Sequence, residues 1–145
     1  MKALIGFLIA MGIVPLAVSA QSINFGNDNS EWADDNECDD RRFRGTNMAG
    51  GLDRDDVLKD ATDCRKGIEN KTLSVWDFEE AKAATQCKAL DFGNDSSKWA
   101  NDGACDDYRF EGPGADYVLL KEDIGKDASD CRSLCEQGQI ALRDY

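Results

Sequence analysis

No histidine occurs among the 145 residues of this chain, so the commonest zinc ligand and the commonest general base are missing together. No Gly-x-Ser-x-Gly nucleophile motif is present either, and the six cysteines form an even set that leaves no spare thiol once paired. Positive charge is scarce: 17 Lys and Arg stand against 29 Asp and Glu, which argues against nucleic acid or an anionic membrane surface as partner. No apolar run reaches the roughly 20 residues that a spanning helix needs. The longest, Leu4 to Val18, extends over about 15 residues and is followed by no stop-transfer charges.

That run follows Lys2 and precedes the small residues Val18-Ser19-Ala20, the pattern of a secretory signal cleaved after residue 20. The next residues are Gln21 and Ser22, so no cysteine is placed for a lipid anchor. The expectation is a secreted or periplasmic protein with no membrane insertion once the signal is removed. Removal takes away one charge, Lys2, and moves the net charge from −12 to −13. Self-repulsion on this scale opposes a compact state unless cations or buried pairs offset it.

Slid against itself, the sequence matches at an offset of 67 residues without a gap: Phe25-Gly26-Asn27-Asp28 lies over Phe92-Gly93-Asn94-Asp95. Trp32, Asp35, Cys38, Asp39 and Asp40 return as Trp99, Asp102, Cys105, Asp106 and Asp107, and Asp60, Asp63 and Cys64 as Asp127, Asp130 and Cys131. Shared Trp, Cys and Asp at one fixed offset mark a duplication, with units at residues 22–70 and 89–140 and a helical linker at 71–88. Units of about 50 residues bury too little to be stable alone and usually need staples or metals.

In both units the shared cysteines are 26 positions apart, so Cys38–Cys64 and Cys105–Cys131 are the simplest pairs. Closing each loop adds roughly 3–4 kcal/mol. Cys87 and Cys135 have no counterparts and flank the second unit, where a bridge between them would tie its entrance to its exit. The fold expected is small and disulfide-rich, mostly loop with short α-helices, in two tandem repeat units. A helix should follow each Asp-Ala-Thr/Ser-Asp-Cys-Arg segment, with Gly138 as a stop for the second. Asp53 to Leu58 and Tyr117 to Ile124 are further helical candidates. A linker helix over Ser74 to Ala84 would be capped by Ser74 or Asp77, and Trp76 and Phe78 would pack the units together. Trp32 and Trp99, with Phe25, Phe43, Phe92 and Phe110, are expected to form the small core.

Closing the two bridges would draw Asp102, Asp106 and Asp107 towards Asp127 and Asp130, and Asp35, Asp39 and Asp40 towards Asp60 and Asp63. Converging carboxylates repel unless protons or a cation neutralise them. An oxygen-only donor set suits Ca²⁺, which takes 6–8 oxygens with tolerant geometry, so one Ca²⁺ per repeat is the cofactor expected. Gly103 favours the turn in the second unit, where Asn36 stands in the first.

The motif Asp102-Gly103-x-Cys105-Asp106 followed by Asp127-x-x-Asp130-Cys131 resembles the calcium-binding cysteine-rich repeats of Notch-type receptors. The Asp-x-Ser-Asp segment is similar to the acidic end of low-density-lipoprotein-receptor class A modules. Trp-Ala-x-Asp-x-x-Cys-Asp-Asp-x-Arg-Phe also looks like a small exported bacterial module. The first two resemblances imply a disulfide-and-calcium fold gripping its ion through Asp102, Asp106, Asp127 and Asp130, and through Asp35, Asp39, Asp60 and Asp63. Each covers about a dozen residues per unit, and this chain has one shared cysteine pair where those modules have three.

Structural roles compete for the same acids. Asp60 and Asp127 could cap the following helices with Asp63 and Asp130 completing a capping box, and Asp39-Asp40 and Asp106-Asp107 could pair with Arg42 and Arg109. The leading expectation is an exported, non-catalytic calcium-binding protein that presents a surface to a protein or cell-surface ligand. The alternative is a metal-independent acidic interaction or inhibitor protein. An enzyme with paired carboxylates ranks last, because units of this size leave no room for a substantial cleft.

Overall fold

A computed structural model describes residues 22–145; the expected signal at 1–20 lies outside the described residues. Cys38 is bridged to Cys64, Cys105 to Cys131 and Cys87 to Cys135, the pairing that equal spacing suggests. The two Asp-Ala-Thr/Ser-Asp-Cys-Arg segments open helices α1 (Ala61–Glu69) and α3 (Ala128–Glu136). Their buried faces, Ala61, Cys64 and Gly67 in one and Ala128, Cys131 and Cys135 in the other, recur every three or four residues as a helix packed on one side requires. Between them α2 (Phe78–Ala84) starts at Asp77, whose carboxylate accepts from the Glu80 amide at 2.9 Å. Ser74 has no part in that cap, because it lies in a strand.

Strands are the main departure from a loop-and-helix expectation. In chain order they are β1 (Phe43–Gly45), β2 (Gly51–Asp53), β3 (Leu73–Val75), β4 (Cys105–Asp107), β5 (Phe110–Glu111), β6 (Ala115–Leu120) and β7 (Ala141–Leu142). They form three sheets, ordered β1-β3, β2-β6-β4 and β5-β7. Most span two or three residues, too few to show alternation in sequence. Tyr117 to Leu120, expected as helix, is extended because β6 takes β2 as an antiparallel partner. What remains of the two helical candidates is one 3₁₀ turn each, Arg54–Asp56 and Lys121–Asp123.

Contacts recur 67 residues apart. Phe43 pairs with Val75 and Phe110 with Leu142; Cys38 bridges Met48 and Cys105 pairs with Ala115, both parallel. Phe25 stacks on Phe43 at 5.7 Å between centroids, with the Arg65 guanidinium 5.2 Å from its ring. Phe92, Phe110 and Arg132 repeat this at 5.4 and 5.3 Å. In the β2–β6 pairing Leu52 faces Leu119, its own counterpart, while Gly51 and Asp53 face Leu120 and Val118. Both leucines are fully buried.

A buried ionic joint ties the halves. Glu111 receives Arg41 through both its oxygens, at 2.6 and 3.0 Å, and Arg143 at 2.7 Å. Arg143 also donates through Nη1 to the carbonyls of Arg41 and Phe43, so its charge is answered in the interior, while its Nε stays buried without a partner. Trp76 donates to the Leu142 carbonyl at 3.1 Å, and the Phe78 ring lies against Gly112, where an added Cβ would stand 3.0 Å from it. Both aromatics thus pack across to the second half, as expected.

Trp32 and Trp99 do not belong to the core. They are 54% and 49% exposed, in turn-rich loops where their amides bond back to Ser30 and Ser97. The stacked phenylalanines occupy the interior instead.

Candidate cation sites

Each shared disulfide sits beneath an acidic loop, and the acids divide into three groups by what already satisfies them. Asp40 and Asp107 are taken. Arg42 grips both oxygens of Asp40, which also accepts the Leu58 amide, and Arg109 and the Gly125 amide hold Asp107 likewise. Both carboxylates are 1% exposed, so they act as internal anchors with no lone pair facing an ion. Pairing with arginine, weighed as a structural role in the sequence, is the one they fill.

Asp63 and Asp130 come next. Asp63 accepts from the Asn36 amide at 2.9 Å and from Lys66 Nζ at 2.9 Å. Asp130 accepts from the Gly103 amide at 3.0 Å, and Ser133 stands where the first half has Lys66. Asn36 and Gly103 both have positive φ, 77° and 97°, a conformation easy for glycine and tolerated by asparagine. Asp35 and Asp102 each fold back on their own loop, accepting from the amides of Glu37 and Ala104.

The third group is Asp39 with Asp60 and Asp106 with Asp127. Asp60 accepts the Asp39 amide at 2.8 Å and Asp127 the Asp106 amide at 2.9 Å. Asp60 and Asp127 occupy the N-cap positions but make no side-chain cap, so the capping box does not form. Capping falls to Asp28 and Asp95 from the Phe-Gly-Asn-Asp loops, which accept both the amide and the hydroxyl of Thr62 and Ser129. Sequence reasoning assigned that role to Asp60 and Asp127; the recurrence of Asp28 and Asp95 at the 67-residue offset is the one signal that could have found them.

One oxygen of each third-group aspartate has no partner: Asp39 Oδ2, Asp60 Oδ1, Asp106 Oδ2 and Asp127 Oδ1 are all buried and unbonded. Exposure of the four residues is between 0% and 5%. Burial, reinforced by Asp35 and Asp60, pushes Asp39 up to about 7, and burial with Asp116, Asp102 and Asp127 does the same for Asp106. Burial also lifts Asp60 and Asp127 to about 6, partly offset by the amides they accept. An unbonded buried carboxylate oxygen is costly unless a proton or cation meets it.

Among the described residues, the groups of three in which ligand atoms lie within 4.8 Å of one another are Cys38, Asp60 and Cys64, and Cys105, Asp127 and Cys131. Two Cys-Asp-Cys clusters could therefore hold a metal ion. With the sulfurs joined in disulfides no thiolate is offered, and the donors left are carboxylate and backbone oxygens. The bridges bring together Asp35, Asp39, Asp60 and Asp63, and Asp102, Asp106, Asp127 and Asp130; Asp40 and Asp107 are turned to their arginines. Three disulfides fit an oxidising extracellular or periplasmic environment, and no described helix is long and apolar enough to cross a membrane. Compared with family models, with curated proteins and with solved structures, the chain matches none.

Proposed function

We propose that the chain is an exported, non-catalytic calcium-binding protein of two tandem units, each holding one Ca²⁺ beside its shared disulfide and presenting a surface to a partner. The observation that carries this reading is the set of four buried, unbonded aspartate oxygens, two at each bridge. Asp60 lies near enough to Asp39, and Asp127 to Asp106, to disfavour its ionisation, and a cation held beside each pair would answer that repulsion. With no histidine and no thiolate, the donors are hard oxygens of the kind Ca²⁺ accepts. Leu52 facing Leu119 supports the two-unit organisation: pairing a segment with its own counterpart is the isologous contact of two like bodies about a two-fold axis.

The second site should bind more tightly. Lys66 already supplies a positive charge to Asp63 in the first, whereas the second has Ser133 there and Gly103 in the turn. The test is thermal unfolding of the oxidised protein in chelator and in millimolar Ca²⁺. With dissociation constants on the order of 10⁻⁴–10⁻³ M, about 10 mM Ca²⁺ contributes about 1.4–2.7 kcal/mol per site, a clear rise in midpoint. In an Asp106→Asn, Asp130→Asn double variant the second site's share of that rise should vanish. A midpoint that millimolar Ca²⁺ leaves unchanged refutes the ion-binding reading. A second reading, a metal-independent acidic interaction protein, draws its support from the exposure of Trp32 and Trp99.

A further inference from the structure

The exposed tryptophans stand at the lips of two clefts built from matching positions. The first, about 390 Å³, is lined by Trp32, Asp35, Asp39, Asp53 and Asp56. The second, about 610 Å³, is lined by Trp99, Asp102, Asp106, Asp116 and Asp123, with Lys98 and Lys126 also in its wall. Val118 and Leu120 of β6 line both, so one apolar ridge runs between two acidic pockets. Acceptors without a partner lie in the wall of each: Asp39 and Asp106, 5% and 4% exposed, each keep one buried oxygen unbonded. An aromatic face beside carboxylates is the environment that holds an organic cation, through the ring quadrupole and the charge together.

The second cleft carries a small instance of that chemistry. Lys98 Nζ lies 4.5 Å from the Trp99 ring centroid, an ammonium on the indole face at the pocket mouth. Glu31 occupies the matching position before Trp32, so an incoming cation there meets an added negative charge.

We propose, resting on the partner-binding half of the function above and not on its ion, that the two clefts together form the docking surface for a basic polypeptide segment. A Lys or Arg side chain would enter the first cleft against Trp32 and, in the second, displace Lys98 from the face of Trp99. The aliphatic stems of such side chains cover apolar surface while their heads stay polar, which suits the Val118–Leu120 ridge. The opposed charges speed encounter, and the tryptophans select a cationic side chain over a merely positive surface.

The test uses the oxidised protein in chelator at low ionic strength, titrated with hexalysine and with hexaglutamate, and followed by calorimetry and tryptophan emission. Hexalysine should bind saturably with a change in emission, and hexaglutamate should not bind. Trp32→Ala and Trp99→Ala, both at exposed positions, should each weaken hexalysine about 2- to 5-fold with no change in melting midpoint, and Trp32→Phe should recover part of the loss. Equal hexalysine affinity in the wild type and both alanine variants would show diffuse charge attraction and overturn the docking surface, as would the absence of saturable binding. Because chelator is present throughout, failure of calcium binding leaves this experiment intact, and a calcium-dependent midpoint without hexalysine binding overturns the docking surface alone.

Discussion

Between about pH 5 and pH 8 the described residues hold no histidine to titrate, so stability in that window reports mainly on the unusual aspartates. Asp39 and Asp106 are raised from 3.8 to about 7, Asp60 and Asp127 to about 6. In each the folded value exceeds the unfolded one, so the native protein keeps protons that the unfolded chain has released. The stability those protons confer is complete below about pH 4 and is lost as pH rises through about 6 to 7, opposite to the behaviour of salt-bridged aspartates. Counting one proton per pair and the smaller shift, at 1.36 kcal/mol per unit, the loss is about 3 kcal/mol per pair. Urea unfolding in chelator across this range should therefore show falling stability with rising pH. At the proposed sites Ca²⁺ would take the place of the protons, so its stabilisation should be largest above about pH 7 and fade towards about pH 5. Asp39→Asn with Asp106→Asn should flatten the metal-free profile, raise stability near pH 8 in chelator and weaken the response to Ca²⁺. A metal-free profile that is level or rises with pH would mean that these carboxylates ionise without penalty, and the orphaned oxygens would lose their significance.

Glu111→Gln leaves Arg41 and Arg143 buried without a counter-charge and should destabilise by about 3–5 kcal/mol, measured by urea unfolding, while the Ca²⁺-dependent change in midpoint persists. Leu119→Ala opens a cavity where the two central leucines meet, and a loss of about 2–5 kcal/mol in the same assay is expected; a change below about 0.5 kcal/mol would contradict that packing.

Several features could be read from the chain alone because they depend on residues close in sequence or on symmetry of spacing. Equal 26-residue separations identified two bridges, and the leftover pair followed. The helices after Asp60 and Asp127 were legible because apolar positions at three- and four-residue intervals record the face to be buried. Grouping the acids around the bridged cysteines was equally legible, since a disulfide fixes what lies beside it.

Tertiary structure alone decided which oxygens remain free. Sequence spacing treats Asp39 and Asp40 as equals, yet Asp40 turns to Arg42 and Leu58 while Asp39 keeps an unbonded oxygen. Nor does local chemistry reveal that capping passes from Asp60 to Asp28, 34 residues from Thr62 in the chain. Short strands such as β2 exist through partners on the far side of the duplication, and their few residues carry no period of their own. Trp32 and Trp99 have the composition of a core and the position of a lip, because the stacked phenylalanines already fill the interior. Sequence determined this protein's acidic balance, the 67-residue recurrence of Trp, Cys and Asp, and the pairing of the cysteines. Hydrogen-bond competition and packing, which operate between residues distant in the chain, decided where its negative charge is left unanswered.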